Sequence, residues 1–195
     1  MVYELEPKYT VRKGVYNLDV MYRTTPISAR EADKFSLLFR GIRLSDTWSY
    51  EYMPLNKVDG FIATLSKYAY YDPDFIYGKV FEGEIPAEDL IELSEMFDVA
   101  YHMNTINDSK MKEVAEKVKR DVDRLNRLLD EMTKTGKYWP PIVAEDYEPL
   151  DGSHRVCAIR ALNGPDYKIF MWREMVAQQP IVEKKTTLKL CSRNR

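Results

Sequence analysis

The sequence predicts an α+β fold, a small mixed sheet with packed helices. Three observations carry this. A long stretch near residues 109–134 repeats its apolar residues at steps of three and four. Short apolar runs at 142–144 and 167–172 bracket a helical segment. Glycine and proline punctuate each junction between them. The chain has 195 residues, of which 45% are apolar and 31% charged. That length suffices for one core with an extension, and that composition is globular rather than disordered.

From the N-terminus, residues 1–27 read as short strands and turns, with Gly14 between two β-prone runs and Pro26 closing the region. Ser28-Ala29-Arg30-Glu31 forms a capping box ahead of Ala32, Phe35, Leu38 and Phe39, and Gly41 ends that helix. Residues 42–56 read as loop. Asn56 caps a helix reaching Ala69, with Phe61, Ile62 and Leu65 inward. Tyr71-Asp72-Pro73-Asp74 reads as a turn. Residues 77–85 read as a strand running into Pro86, which starts a helix over Ala87–Phe97. The long helix places Met111, Val114, Val118, Val122, Leu125, Leu129 and Met132 on one face, and Gly136 stops it. Pro140-Pro141 leads into the strand 142–144. After Glu148-Pro149-Leu150 comes a helix from Ser153 to Leu162, stopped by Asn163-Gly164-Pro165. The strand 167–172 follows, with Tyr167, Ile169 and Met171 on one face.

Composition narrows the function classes. No apolar run approaches the roughly 20 residues of a membrane helix, and the first residues lack the pattern of a signal peptide, so no membrane partner is expected. The two cysteines, Cys157 and Cys191, form no metal spacing and fit a reducing, cytoplasmic setting. The net charge is −2. A protein that coats nucleic acid usually carries a basic surplus, which appears here only in the tail from Lys184 to Arg195. Tyrosine totals 14 residues. Many of them fall between Trp48 and Tyr77 and are read as a satellite core. His102 is read as structural or solvated.

The candidate site is Leu150-Asp151-Gly152-Ser153-His154-Arg155. A helix starting at Ser153 leaves its first N–H groups open, and its dipole favours an anion there. Gly152 admits a close ligand oxygen and a positive φ. Ser153 adds a hydroxyl. His154 and Arg155 bring donors to the first turn, where cations are otherwise unfavourable, and arginine can grip phosphate in two places. Asp151 can orient His154 or meet a metal ion carried on the phosphate. Gly152, Ser153, His154 and Arg155 are thus the expected phosphate-binding residues, and no residue is expected to ligate a resident metal. A plain Asp-Gly turn with a serine cap is the competing reading.

These residues support a resemblance. Pro141-Ile142-Val143, the 150–155 turn, and Val156-Cys157-Ala158 through Leu162 look like the core of the ParB/sulfiredoxin superfamily. Gly152, Arg155 and Ala158 match its Gly-x-x-Arg turn and following alanine. Val80–Pro86 with Asp89-Leu90 is similar to its opening strand. The resemblance covers residues 78–175, with a longer helix than usual between its halves. It leaves 1–77 as an N-terminal α/β extension and 176–195 as a C-terminal tail. Sulfiredoxins carry a catalytic cysteine where this chain has Ser153, so sulfur chemistry is not expected, and Cys157 is read as a small core residue. The ParB-type free serine kinases have Asp-Gly-His-His-Arg at the turn, and this chain keeps four of the five. The resemblance therefore implies a nucleoside triphosphate or diphosphate with Mg2+, a small hydroxyl-bearing acceptor, and catalysis by Asp151, His154 and Arg155. It also implies a carboxylate base from the first half, with Glu84 preferred among Glu82, Glu84, Glu92 and Glu95. Two other functions compete: a nucleic-acid-directed nuclease or base-modifying transferase, and a non-catalytic nucleotide-sensing module. The helix-turn-helix domain of the chromosome-partition proteins has no counterpart in the 20 or so residues after the last strand.

Overall fold

A computed structural model describes residues 2–8, 14–17, 47–58, 62–96 and 108–175. Within them the elements run β1 (Glu6–Pro7), β2 (Gly14–Asn17), β3 (Thr47–Pro54), α1 (Ile62–Lys67), α2 (Pro73–Phe81), α3 (Ala87–Met96), α4 (Asp108–Thr135), β4 (Lys137–Tyr138), β5 (Ile142–Val143), β6 (Pro149–Asp151), α5 (Ser153–Asn163) and β7 (Lys168–Met175). A 3-10 turn spans Leu55–Lys57. The class is α+β, as expected: a small mixed sheet with packed helices. The capping-box segment 28–41, His102, Cys191 and the tail 176–195 lie outside the described residues.

The main sheet has the order β2-β3-β7-β5-β6. β2–β3, β3–β7 and β5–β6 are antiparallel, whereas β5 and β7 run parallel with α5 on the connection between them. A parallel pair needs such a crossover, because a tight hairpin cannot turn the chain back to the same direction. A second, two-stranded sheet pairs β1 with β4 in parallel.

Two segments differ from the sequence reading. Residues 47–54, read as loop, form β3, one of the two longest strands. Its register sets Tyr50 opposite Trp172 and Tyr52 opposite Phe170. The rings meet across the pair: Tyr50 stacks on Phe170 at 5.0 Å between centroids and touches Trp172 at 4.6 Å. Aromatic cross-strand pairs stabilise such ladders, so part of the tyrosine cluster does form a satellite layer.

Residues 77–85, read as a strand, are instead the end of α2 and the turn after it. Asp72 is the N-cap, its carboxylate accepting from the N–H groups of Asp74 (2.7 Å) and Phe75 (3.2 Å), and Pro73 occupies the first turn. The expected turn at 71–74 is thus a helix start. Ile76 and Val80, four residues apart, are buried together. Gly83, at φ +74°, closes the helix while the Glu84 N–H donates to Lys79 C=O at 2.8 Å. This removes the opening strand on which half of the family resemblance rested.

The predicted apolar face of α4 is the centre of the core. Val114, Val118, Val122, Leu125, Leu129 and Met132 are all buried, in one cluster with Leu65, Ile76, Val80, Leu93, Val156, Ile159, Ile169 and Met171. Leu55 and Val58, on the N-terminal side of the expected domain boundary, belong to the same cluster. No described helix is long and apolar enough to cross a membrane.

Candidate functional site

The turn at 150–155 joins β6 to α5. Gly152 is the N-cap of α5 at φ +93°, and no side chain caps the helix. No side chain therefore occupies its first amides, as expected for a helix that starts at Ser153 behind a glycine. The turn borders a cleft of about 610 Å3 lined on one side by Leu150, Asp151, Gly152, Ser153, His154 and Arg155. The other side comes from Arg124, Arg127, Leu128 and Glu131 of α4, with Trp139 just after β4. Positions 124, 127, 128 and 131 follow helical spacing, so one edge of α4 faces the turn while its apolar face enters the core.

The turn's side chains divide their roles differently from the expectation. Arg155 is 8% exposed. Its Nη2 donates to Asp151 Oδ2 at 2.6 Å, and its Nη1 donates to the carbonyls of Trp139 and Pro140, each at 3.3 Å. The guanidinium thus ties the turn to the 139–140 segment rather than reaching out to grip phosphate. It also explains one of the two cations at this helix end: Asp151 is the anion that Arg155 meets. Asp151 does not orient His154.

His154 has a different partner. Its Nε2 lies 2.5 Å from Asp121 Oδ1 on α4. Both side chains are mostly buried, 14% and 18% exposed. With the proton on Nε2 directed at the carboxylate, Nδ1 keeps its lone pair, the arrangement of an oriented base. Nothing in the sequence pairs residues 33 apart, so Asp121 carried no signal. Arg124 and Arg127 do carry one, cations at helical spacing beside the apolar face.

The expected carboxylate bases do not reach the cleft. Glu84 is exposed in the turn after α2 and pairs with Lys79, and these hydrogen-bonded charges hold its carboxyl below the usual range. Glu82 is exposed beside it. Glu92 accepts a hydrogen bond from Thr64. The Glu95 side chain lies outside the described residues. The carboxylates at the cleft are each engaged by a side chain: Asp151 by Arg155, Glu131 by Lys8, and Asp121, behind the cleft, by the His154 imidazole. No group of three or more metal-ligating side chains occurs among the described residues. This donor set does not fit a resident Mg2+.

Cys157 sits one turn further along α5, fully buried. Burial pushes its thiol far above the usual value. It is a small core residue, as its place in the helix predicts, and not a nucleophile.

Compared with family models, curated proteins and solved structures, the chain matches none.

Proposed function

We propose that the cleft between α4 and the start of α5 binds the phosphates of a nucleotide, and that the His154–Asp121 pair moves the proton in phosphoryl transfer to a small hydroxyl-bearing acceptor. One observation carries this reading: open helix amides, two arginines and an oriented imidazole converge on a single cleft. The amides and the helix dipole favour an anion, and Arg124 and Arg127 supply exposed positive charge beside them. Trp139, Leu128 and Leu150 give the same cleft apolar surface against which a base can lie.

In this reaction the acceptor oxygen attacks the terminal phosphorus. A new O–P bond forms and the bond from that phosphorus to the bridging oxygen breaks, releasing the shortened nucleotide. The hydroxyl proton passes to Nδ1 of His154, and Asp121 stabilises the imidazolium. His154 replaces the glutamate base that the family resemblance implies. Arg155 and Gly152 act by holding the turn in shape.

The test is thermal stability against ATP, ADP, CTP and GTP. A ligand at about 100 times its Kd adds about 2.7 kcal/mol, a rise of roughly 5–10 °C for a domain of this size. The double substitution Arg124→Ala/Arg127→Ala should abolish the rise. Wild-type protein that gains nothing from any nucleotide, or a double variant that gains as much, would sink the reading. Turnover, followed as phosphorylated product, should fall about a hundredfold or more in His154→Ala.

A further inference from the structure

Four cations lie along α4 at 117, 120, 124 and 127, steps of three, four and three that place them on one face. Arg124 and Arg127 line the first cleft. The same two line a second cleft of about 430 Å3 with Lys117, Arg120, Asp121 and Asp123. The two depressions therefore share an edge and make one track. Arg120 and Arg124 form no ion pair with a described residue. Arg127 pairs with Asp123 at 2.8 Å, and Lys117 stands 3.8 Å from Glu113. The Arg127 pair is on the surface, and Glu113 is exposed at a distance beyond hydrogen bonding from Lys117, so a competing phosphate displaces either carboxylate readily.

The length of the track decides what it fits. From Lys117 to Arg127 the helix rises about 15 Å. The phosphates of one nucleotide, bonded through shared oxygens, do not reach along that span. A stacked nucleic-acid strand advances about 3.4 Å per phosphate, so the span takes roughly four. The track also ends at an apolar wall, Trp139 with Leu128 and Leu150, on which a base can stack.

We infer that the ligand of this site is a single-stranded nucleic acid, its backbone running along the α4 cations and one of its phosphates at the start of α5. This inference rests on the phosphate-binding reading of the first cleft and names the substrate class for it.

Fluorescence anisotropy tests it, with a labelled oligothymidylate about ten nucleotides long, ATP as the mononucleotide probe and inorganic polyphosphate as a competitor. The variant is the pair Lys117→Ala/Arg120→Ala, which lines the second cleft but not the first. The oligonucleotide should bind wild type at low salt and bind the variant about tenfold or more weakly. The slope of log K against log salt should drop by about 1.4 for the two lost contacts, while the ATP-induced thermal shift stays as in wild type. Unchanged oligonucleotide affinity in the variant overturns the inference. So does an oligonucleotide that fails to bind wild type while ATP binds, since the site then takes free nucleotides only. Polyphosphate that competes as strongly as unlabelled oligonucleotide also overturns it, because charge alone would then be read. If neither ATP nor oligonucleotide binds, the reading of the first cleft itself has failed.

Discussion

Gly152 and Arg155 constrain one another. A Cβ added at Gly152 would lie 2.6 Å from Arg155 Nη2 and 2.7 Å from its Nε, on a backbone at φ +93°. Alanine there faces both a left-handed conformation and a clash with a buried charge. Gly152→Ala should therefore cost about 2 kcal/mol or more in urea unfolding, with the loss of nucleotide stabilisation following from it. Asp121→Asn keeps the shape of the pair but removes the charge that supports an imidazolium. It should lower turnover much as His154→Ala does, while the nucleotide-dependent thermal shift is retained. Cys157 gives a third outcome at this scale. In a Cys191→Ser background the folded protein should not react with a thiol reagent at pH 8, and should react once unfolded in urea. At the turn, the sequence singled out residues that line the cleft but not their partners. Gly152 and the open helix start follow from local backbone rules, which act between neighbours. The His154–Asp121 contact depends on how two helices pack, which no local pattern encodes.

Among the elements, α4 runs through the core and frames the cleft. Leu125, fully buried on its apolar face, should cost about 2–5 kcal/mol when cut to alanine. The α2 cap is a smaller contribution: Asp72→Ala should cost about 1 kcal/mol. Both are measured by chemical denaturation. The amphipathic period of α4 made that helix legible, because one strong repeat over 28 residues leaves few alternatives. α2 was obscured because Tyr77, Val80, Phe81 and Ile85 also suit a strand. The decisive signals lay upstream, in Asp72-Pro73, and in the burial of Ile76 with Val80. β3 was missed for the opposite reason: its aromatic alternation, Trp48, Tyr50 and Tyr52, is interleaved with Ser49 and Glu51, and Glu51 is held by a partner on β7, Arg173, at 2.9 Å.

For the molecule as a whole, titration limits stability on both sides. Burial alone would raise the Asp89 carboxyl, but hydrogen bonds from Lys67 and Tyr68, each 2.6 Å, outweigh it and hold the group below its ordinary 3.8. At Glu51 burial likewise pushes the carboxyl up, but the hydrogen bonds from Arg173 and Ser49 outweigh it and the group stays below its ordinary 4.5. A carboxyl lowered by folding stabilises the fold above its unfolded value, and that contribution is lost as pH falls through the folded one. Stability should thus decline below about pH 4, and Asp89→Asn should flatten that decline. At the alkaline end, burial raises Tyr68 and Tyr138 above the ordinary 10.0. Their contribution is complete below pH 10 and is lost above it. Thermal unfolding across pH 2–11 reads both limits.

The sheet order has a kinetic consequence. β7 is the central strand, with β3 on one side and β5 on the other, and Thr47 pairs with Met175. During synthesis β3 must wait for β7, since no other described strand pairs with that edge. α2 and α4 can pack together earlier. Assembly of the sheet should then be the slow phase of refolding, set by the closure of a long loop rather than by helix formation. Until that closure, the aromatic edge of β3 is an unpaired strand, the feature most apt to draw nascent copies into aggregates.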